Sequence, residues 1–189
     1  MRDATDPGRR AKAARAKVGA ARGAALSVAL IADTHGYIDP RVLARLRDAD
    51  LVVHAGDIGG ADVLAALPEV HAVRGNNDVP AKWPASERAA LAGLPEELRL
   101  ELPGGVLVVV HGDRVLPALQ RHEKLRRLYP EARSVVYGHT HRLVCDRSRE
   151  PWVLNPGAAG RTRTFGGPSC LILRAGARSW SVRALRFPP

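Results

Sequence analysis

At 189 residues and 46% hydrophobic content, the chain is long enough to bury a core without disulfide or metal staples, and it fits one domain. No apolar run approaches the roughly 18 residues of a membrane span, and Met1 to Gly23 hold no apolar signal-peptide core, so the expectation is a cytoplasmic protein with no membrane contact. The formal charge of +10 is uneven: residues 1–25 carry seven basic and two acidic groups without apolar periodicity. Residues 1–24 therefore read as a disordered basic tail suited to weak contact with nucleic-acid phosphates, or simply as a solubilising extension, ahead of one domain over 25–189. Cys145 and Cys170 lack CxxC spacing and sit in or beside apolar strand patterns, so both are expected to be buried free thiols.

After the tail, strand and helix patterns alternate. Leu26–Ala32 reads as a buried strand, Pro40–Arg47 as a short helix, Leu51–His54 as a second strand, Asp62–Leu67 as a brief helix ended by Pro68, and Val70–Val73 as a third strand. Pro80–Pro95 is punctuated by Pro80, Pro84, Gly93 and Pro95 and reads as irregular. Leu98–Leu102 and Val106–Val110 read as a hairpin across Pro103-Gly104-Gly105. Leu116–Tyr129 gives the strongest helix pattern, with Leu116, Leu119, Leu125 and Leu128 as its apolar stripe. Strands then dominate, at Ser134–Tyr137, Leu143–Asp146, Trp152–Leu154, Cys170–Arg174 and Trp180–Leu185. Alternating units followed by a β-rich close predict an α/β fold of two packed sheets flanked by helices.

Five polar clusters each follow one of these strands: Asp33-Thr34-His35, Gly56-Asp57, Gly75-Asn76-Asn77-Asp78, His111-Gly112-Asp113 and Gly138-His139-Thr140-His141. Side chains just past the carboxyl ends of strands converge on one rim, where α/β folds place ligand sites. Their donors are carboxylates, imidazoles and one amide, with no thiolate, a set that suits divalent Mn, Fe, Co, Ni or Zn. Seven donors are too many for one ion. Asp33 and His35, and likewise His139 and His141, stand two apart, which in an extended segment turns each pair to one face. Two ions a few ångströms apart need a shared anionic bridge, and Asp57 is the natural one. Asn76 adds a neutral oxygen.

These five clusters in order resemble the calcineurin-like metallophosphoesterase superfamily, and the Asn155-Pro156-Gly157 turn and short length place the chain nearest its small bacterial and archaeal phosphodiesterase branch. The resemblance spans about Leu26 to Leu185. It implies a four-layer αββα sandwich of two facing mixed β-sheets flanked by helices. It also implies two divalent ions, Mn2+ foremost: Asp33, His35, Asp57 and His141 at the first, and Asp57, Asn76, His111 and His139 at the second. A hydroxide bridging the ions would attack phosphorus in line, with Asp57, Asn76 and His111 closest to the chemistry. Two departures from the family pattern stand out. Asn77 occupies a position where larger members carry His, a candidate acid for the leaving group, and Asp113 stands where many relatives have another His.

Among the flanking residues, His54 is expected to orient a loop or ligand, and Asp78 to brace the Asn76 loop. Arg74 is equally suited to substrate phosphate or to an acidic partner, whereas Arg161 and Arg163 read as surface residues. His71 and His122 read as structural or solvated. Pro80–Pro95 and Gly157–Gly167 are the expected pocket walls. The resulting expectation is a metal-dependent phosphoesterase, most simply a phosphodiesterase, acting on a small phosphate-ester substrate; a homo-oligomer is compatible with the sequence. The rival classes are a non-catalytic protein-binding scaffold of the same fold and a nuclease-like nucleic-acid processor. Competent donors at every ligand position argue against the first, and the lack of a basic or aromatic platform argues against the second.

Overall fold

A computed structural model describes residues 13–18 and 25–189. Its strands are β1 (Ala13–Lys17), β2 (Leu26–Ile31), β3 (Leu51–His54), β4 (Val70–Ala72), β5 (Glu97–Leu102), β6 (Gly105–Val110), β7 (Ser134–Tyr137), β8 (Leu143–Asp146), β9 (Trp152–Pro156), β10 (Ser169–Ala175) and β11 (Trp180–Arg186). Its α-helices are α1 (Pro40–Leu46), α2 (Ala61–Ala65), α3 (Arg88–Gly93) and α4 (Arg121–Leu128). One sheet runs β1-β5-β6-β7-β9-β8 and the other β11-β10-β2-β3-β4, each mixing parallel and antiparallel pairs.

Alternation along the strands splits the interior into three apolar layers. Leu26, Val28 and Leu30 of β2 face Leu98 and Leu100 of β5 and Leu107 and Val109 of β6 in the seam between the sheets. The other face of β2, Ala29 and Ile31, packs with Val42 and Leu46 of α1, Val63 of α2 and Leu91 of α3. On the opposite side, Val108, Val110 and Val135 pack against Leu125 of α4. The order is thus helices, sheet, sheet, helix, the expected four layers. β2, β3 and β4 are parallel, as are β6 and β7, so the polar clusters after them emerge at strand carboxyl ends.

Several local expectations need correction. Pro80–Pro95 is not irregular throughout: a 3-10 turn at Ala85–Glu87 leads into α3. The long helix expected over Leu116–Tyr129 is only α4, preceded by a 3-10 turn at Ala118–Gln120, because Pro117 holds an extended backbone (φ −74°, ψ 156°) and cannot sit inside a helix. Three of its four stripe leucines are exposed, Leu119 at 102%, and only Leu125 is buried. Cys170 is buried as expected, but Cys145 is exposed: β8 is an edge strand, and Cys145 stands on its open face. The tail is not structureless at Ala13–Lys17, where β1 pairs in parallel with β5 and small Ala14 and Ala16 pack against the inter-sheet core. The rest of the proposed tail, 1–12 and 19–24, lies outside the described residues. Among the described residues no helix is long and apolar enough to cross a membrane.

Candidate metal centre

The backbone turns sharply at each cluster. Asp33, His35, Asp57, His139 and His141 all have positive φ, between 48° and 64°. The left-handed region is disfavoured for residues with a Cβ, and such strain gathers where function over-determines the conformation. Asp33/His35 and His139/His141 are therefore not the extended pairs that their spacing suggested; left-handed turns aim them instead. Gly75 permits the closest approach, since a Cβ there would lie 2.2 Å from Asp57 Oδ1.

These turns bring all seven expected donors together in two groups. On one side, His35 Nε2 and His141 Nε2 are 3.2 Å apart, with Asp33 Oδ1 3.5 Å from His141 Nε2, and the two imidazoles stack. On the other side, Asn76 Oδ1 lies 3.0 Å from both His111 Nε2 and His139 Nδ1. Asp57 faces both sides: Oδ2 is 3.8 Å from His35 Nε2 and Oδ1 is 3.4 Å from His111 Nε2. Two sets, Asp33-His35-His141 and Asp33-Asp57-His111, each offer ligand atoms lying within 4.8 Å of one another. The buried Asp33 Oδ2 makes no hydrogen bond. An orphaned carboxylate oxygen deep in such a donor set fits a cation.

Bonds behind the donors fix their orientation. His111 Nδ1 donates to the Ala55 carbonyl (2.9 Å) and His141 Nδ1 to the Thr162 carbonyl (3.0 Å), which turns each Nε2 to the centre. Asp33 Oδ1 accepts from the His139 amide. Asp78 is fully engaged, accepting from the amides of Ile58, Gly59 and Gly75 and from Trp83 Nε1, so it ties the Asp57 and Asn76 loops together as expected. His54 orients the floor: the Gly56 amide donates to Nδ1, so Nε2 donates to Thr34 Oγ1, whose hydroxyl donates to the Ile58 carbonyl. Asn77 braces Asp57 through its amide (2.8 Å) and Nδ2 (2.7 Å), and its own Oδ1 accepts from Lys82.

Burial and neighbours set the charges. Desolvation pushes Asp33 up to about 7, with Asp57 adding repulsion and His111 opposing. Burial would also raise Asp57, but bonds from His111 and Asn77 hold it below the ordinary carboxylate range. His111 is correspondingly raised by Asp57 against its own burial. Burial lowers His35 and His139, takes His141 to about 4 and, with repulsion from His111, takes His54 to about 3. Most of the histidines are thus held as neutral donors.

The two flanks of the centre differ. Beside Asn76 and His111 lies a cavity of about 200 Å³, mainly apolar, lined by Val110, Val115, Leu128 and Tyr129 and by Asp113. Its two cations are consumed: Arg74 and Arg114 both pair with Glu96, which they hold at about 2. Arg74 thus takes the acidic partner, and the cavity is walled by Gly112–Val115 and the end of α4, not by Pro80–Pro95. Beside His141 stands Arg163, whose Nη2 is 3.2 Å from His141 Nε2. It is exposed, as expected for a surface residue, but it reaches the centre. A non-glycine residue at φ 51° in a glycine-rich loop leaves no signal in the sequence, so its reach was not foreseen. Further out, His122 sits between Asp146 and Tyr137, a structural position.

Comparison with known proteins gives this geometry a lineage. Residues 26–177 match the calcineurin-like phosphoesterase superfamily domain. A probable metallophosphoesterase of Methanocaldococcus jannaschii is 32% identical over 146 residues, covering 72% of this chain and 69% of that one. A probable metallophosphoesterase of Methanothermobacter thermautotrophicus is 28% identical over 169 residues, covering 84% and 91%. In fold, the chain is similar to Vps29 of Entamoeba histolytica in complex with zinc (TM-score 0.66, 23% identity, 86% of this chain and 99% of that one) and to an archaeal phosphodiesterase (TM-score 0.64, 21% identity, 85% and 100%). At that identity these two solved structures speak to the fold alone. The chain belongs to the calcineurin-like phosphoesterase superfamily.

Proposed function

We propose that the chain is a dinuclear metal-dependent phosphodiesterase. The observation that carries this reading is Asp57, whose two oxygens face two separate donor groups. Asp33, His35, Asp57 and His141 would hold one divalent ion, and Asp57, Asn76, His111 and His139 the other. Bound there, the ions supply Lewis acidity toward phosphoryl oxygens and lower the pKa of an attacking water; the oxygen and imidazole donors suit Mn2+, with Fe, Co, Ni or Zn as alternatives. The protein's part is positioning. His111 and His141 are locked by carbonyls, Asp57 by Asn77, and the loops by Asp78. Asn77 is engaged with Asp57 and Lys82 and offers no proton to a leaving group, which favours esters with acidic alcohols.

Purified protein should bind two Mn2+ per chain and hydrolyse bis(p-nitrophenyl) phosphate only when metal is present. Asp57→Ala should abolish two-metal binding and lower activity by at least about a thousandfold. Full activity in that variant would overturn the dinuclear reading. A second reading, contact with a protein partner, is favoured by the exposed Leu116, Leu119 and Leu128. Leu116 and Leu119 are not among the metal donors or the cavity lining, whereas Leu128 also lines the cavity beside His111.

A further inference from the structure

Several arginines elsewhere in the described residues reach a carboxylate: Arg41 reaches Asp39, Arg99 reaches Glu97, Arg126 reaches Asp146, and Arg74 and Arg114 share Glu96. Arg163 has no carboxylate within salt-bridge range among them. Its guanidinium instead meets a histidine nitrogen at the centre itself.

The hydrogen-bond direction there is fixed. His141 Nδ1 faces a carbonyl oxygen, which can only accept, so Nδ1 carries the proton and Nε2 presents a lone pair. The Arg163 guanidinium donates to that lone pair at 3.2 Å. The same lone pair is the one His141 would give to a metal ion. A guanidinium and a divalent cation cannot share it, and their charges repel. The loop keeps Arg163 close all the same: the Thr162 carbonyl is tied to His141, the Phe165 amide to the Arg163 carbonyl, and Arg142 stacks 4.3 Å over Phe165. Displaced from Nε2, the guanidinium remains beside the centre, exposed and with no carboxylate within salt-bridge range among the described residues. An anion there is its remaining strong hydrogen-bond acceptor.

We propose that Arg163 is the phosphate-contacting residue of this site, exchanging the His141 lone pair for a non-bridging oxygen of the substrate phosphate once metal is bound. The proposal rests on the dinuclear reading above. It also bears on substrate class. With Arg74 and Arg114 occupied by Glu96, Arg163 is the guanidinium in contact with the donor set that is left to meet charge, and one cation matches the single negative charge of a phosphodiester better than the dianion of a monoester.

Because Arg163 competes with metal yet assists substrate, its removal should act in opposite directions on the two. Calorimetric titration of the metal-free protein with Mn2+ should show Arg163→Gln binding one of its two ions several-fold more strongly than the wild type. The KM for bis(p-nitrophenyl) phosphate at saturating Mn2+ should rise about tenfold, the size of one charge-assisted hydrogen bond. Arg163→Lys keeps the charge and should recover much of the KM. A purely structural role would weaken both or neither. Unchanged or weaker Mn2+ affinity in Arg163→Gln, or an unchanged KM, overturns the assignment while leaving the dinuclear reading intact. A wild-type protein that binds no Mn2+ and cleaves no diester overturns both.

Discussion

The two flanks of the centre solve opposite problems. On the His141 side a guanidinium contacts the donor set without a salt-bridge partner among the described residues, whereas on the His111 side Arg74 and Arg114 share Glu96, with Asp113 near Arg114, around a mainly apolar cavity. Counting arginines alone would mislead, because Arg74 and Arg114 are both engaged with Glu96 while Arg163 is not engaged with a carboxylate within salt-bridge range. What matters is which cations already have partners. The arrangement favours a substrate with its anionic phosphate toward Arg163 and an uncharged organic group toward Val115, Leu128 and Tyr129.

Both flanks share one floor, and undermining it gives the largest expected effect. His54 is completely buried and held at about 3 by desolvation and by His111. Its pKa is lower in the folded than in the unfolded chain, so the unfolded chain takes up the proton first as pH falls. The stability present above pH 6.5 is therefore lost progressively down to about pH 3, at roughly 1.4 kcal/mol per pH unit for this single group. Urea midpoints of the metal-free protein should fall between pH 7 and pH 5. In His54→Gln that pH slope should be visibly shallower, and an identical slope would remove His54 from the account.

A second test sharpens the contrast by filling the apolar flank. Val115→Trp should occupy the cavity beside His111 and raise KM for bis(p-nitrophenyl) phosphate by about tenfold, the worth of a lost apolar contact area for one aryl group. Two-metal stoichiometry should persist, and an unaffected KM would place the leaving group elsewhere. The smallest expected effect comes from making the flanks alike. Glu96→Gln releases Arg74 and Arg114, so hydrolysis of p-nitrophenyl phosphate should rise about threefold relative to the diester, a gain that 0.5 M salt should erase because exposed charges are screened. An unchanged ratio would mean that Glu96 does not set the charge of that flank.

The gathering of the seven candidate donors was legible because each is announced by the strand before it: Val70–Val73 leads to Asn76, and Val106–Val110 leads to His111. The same local logic found most strands and both sheets. It failed where the deciding contact is remote or where one residue vetoes a pattern. Leu116, Leu119 and Leu128 keep helical spacing, but Pro117 breaks the helix and leaves them on the surface. β1 was missed because alanine, arginine and lysine carry no strand pattern, and its strand exists through pairing with β5, more than 80 residues away. Arg163 and the Glu96 clasp depend on loop conformation and on partners 18 to 22 residues distant, which no spacing rule encodes. The left-handed turns at the donors were also invisible, although Asp and His are among the residues that tolerate them best.

The strand at Ala13–Lys17 has a consequence for handling the protein. Shortening the chain to begin at residue 25, the natural choice if the first 24 residues were mere tail, would strip β1 from its sheet. β5 would then present the unpaired amides and carbonyls of Glu97–Leu102 along an open edge, with no proline among those six residues to interrupt it. Bare edges of that kind recruit strands from neighbouring molecules. The alanine-rich segment covers that edge and becomes the outermost strand itself, with Arg15 paired to Glu101 of β5 and Lys17 exposed along it.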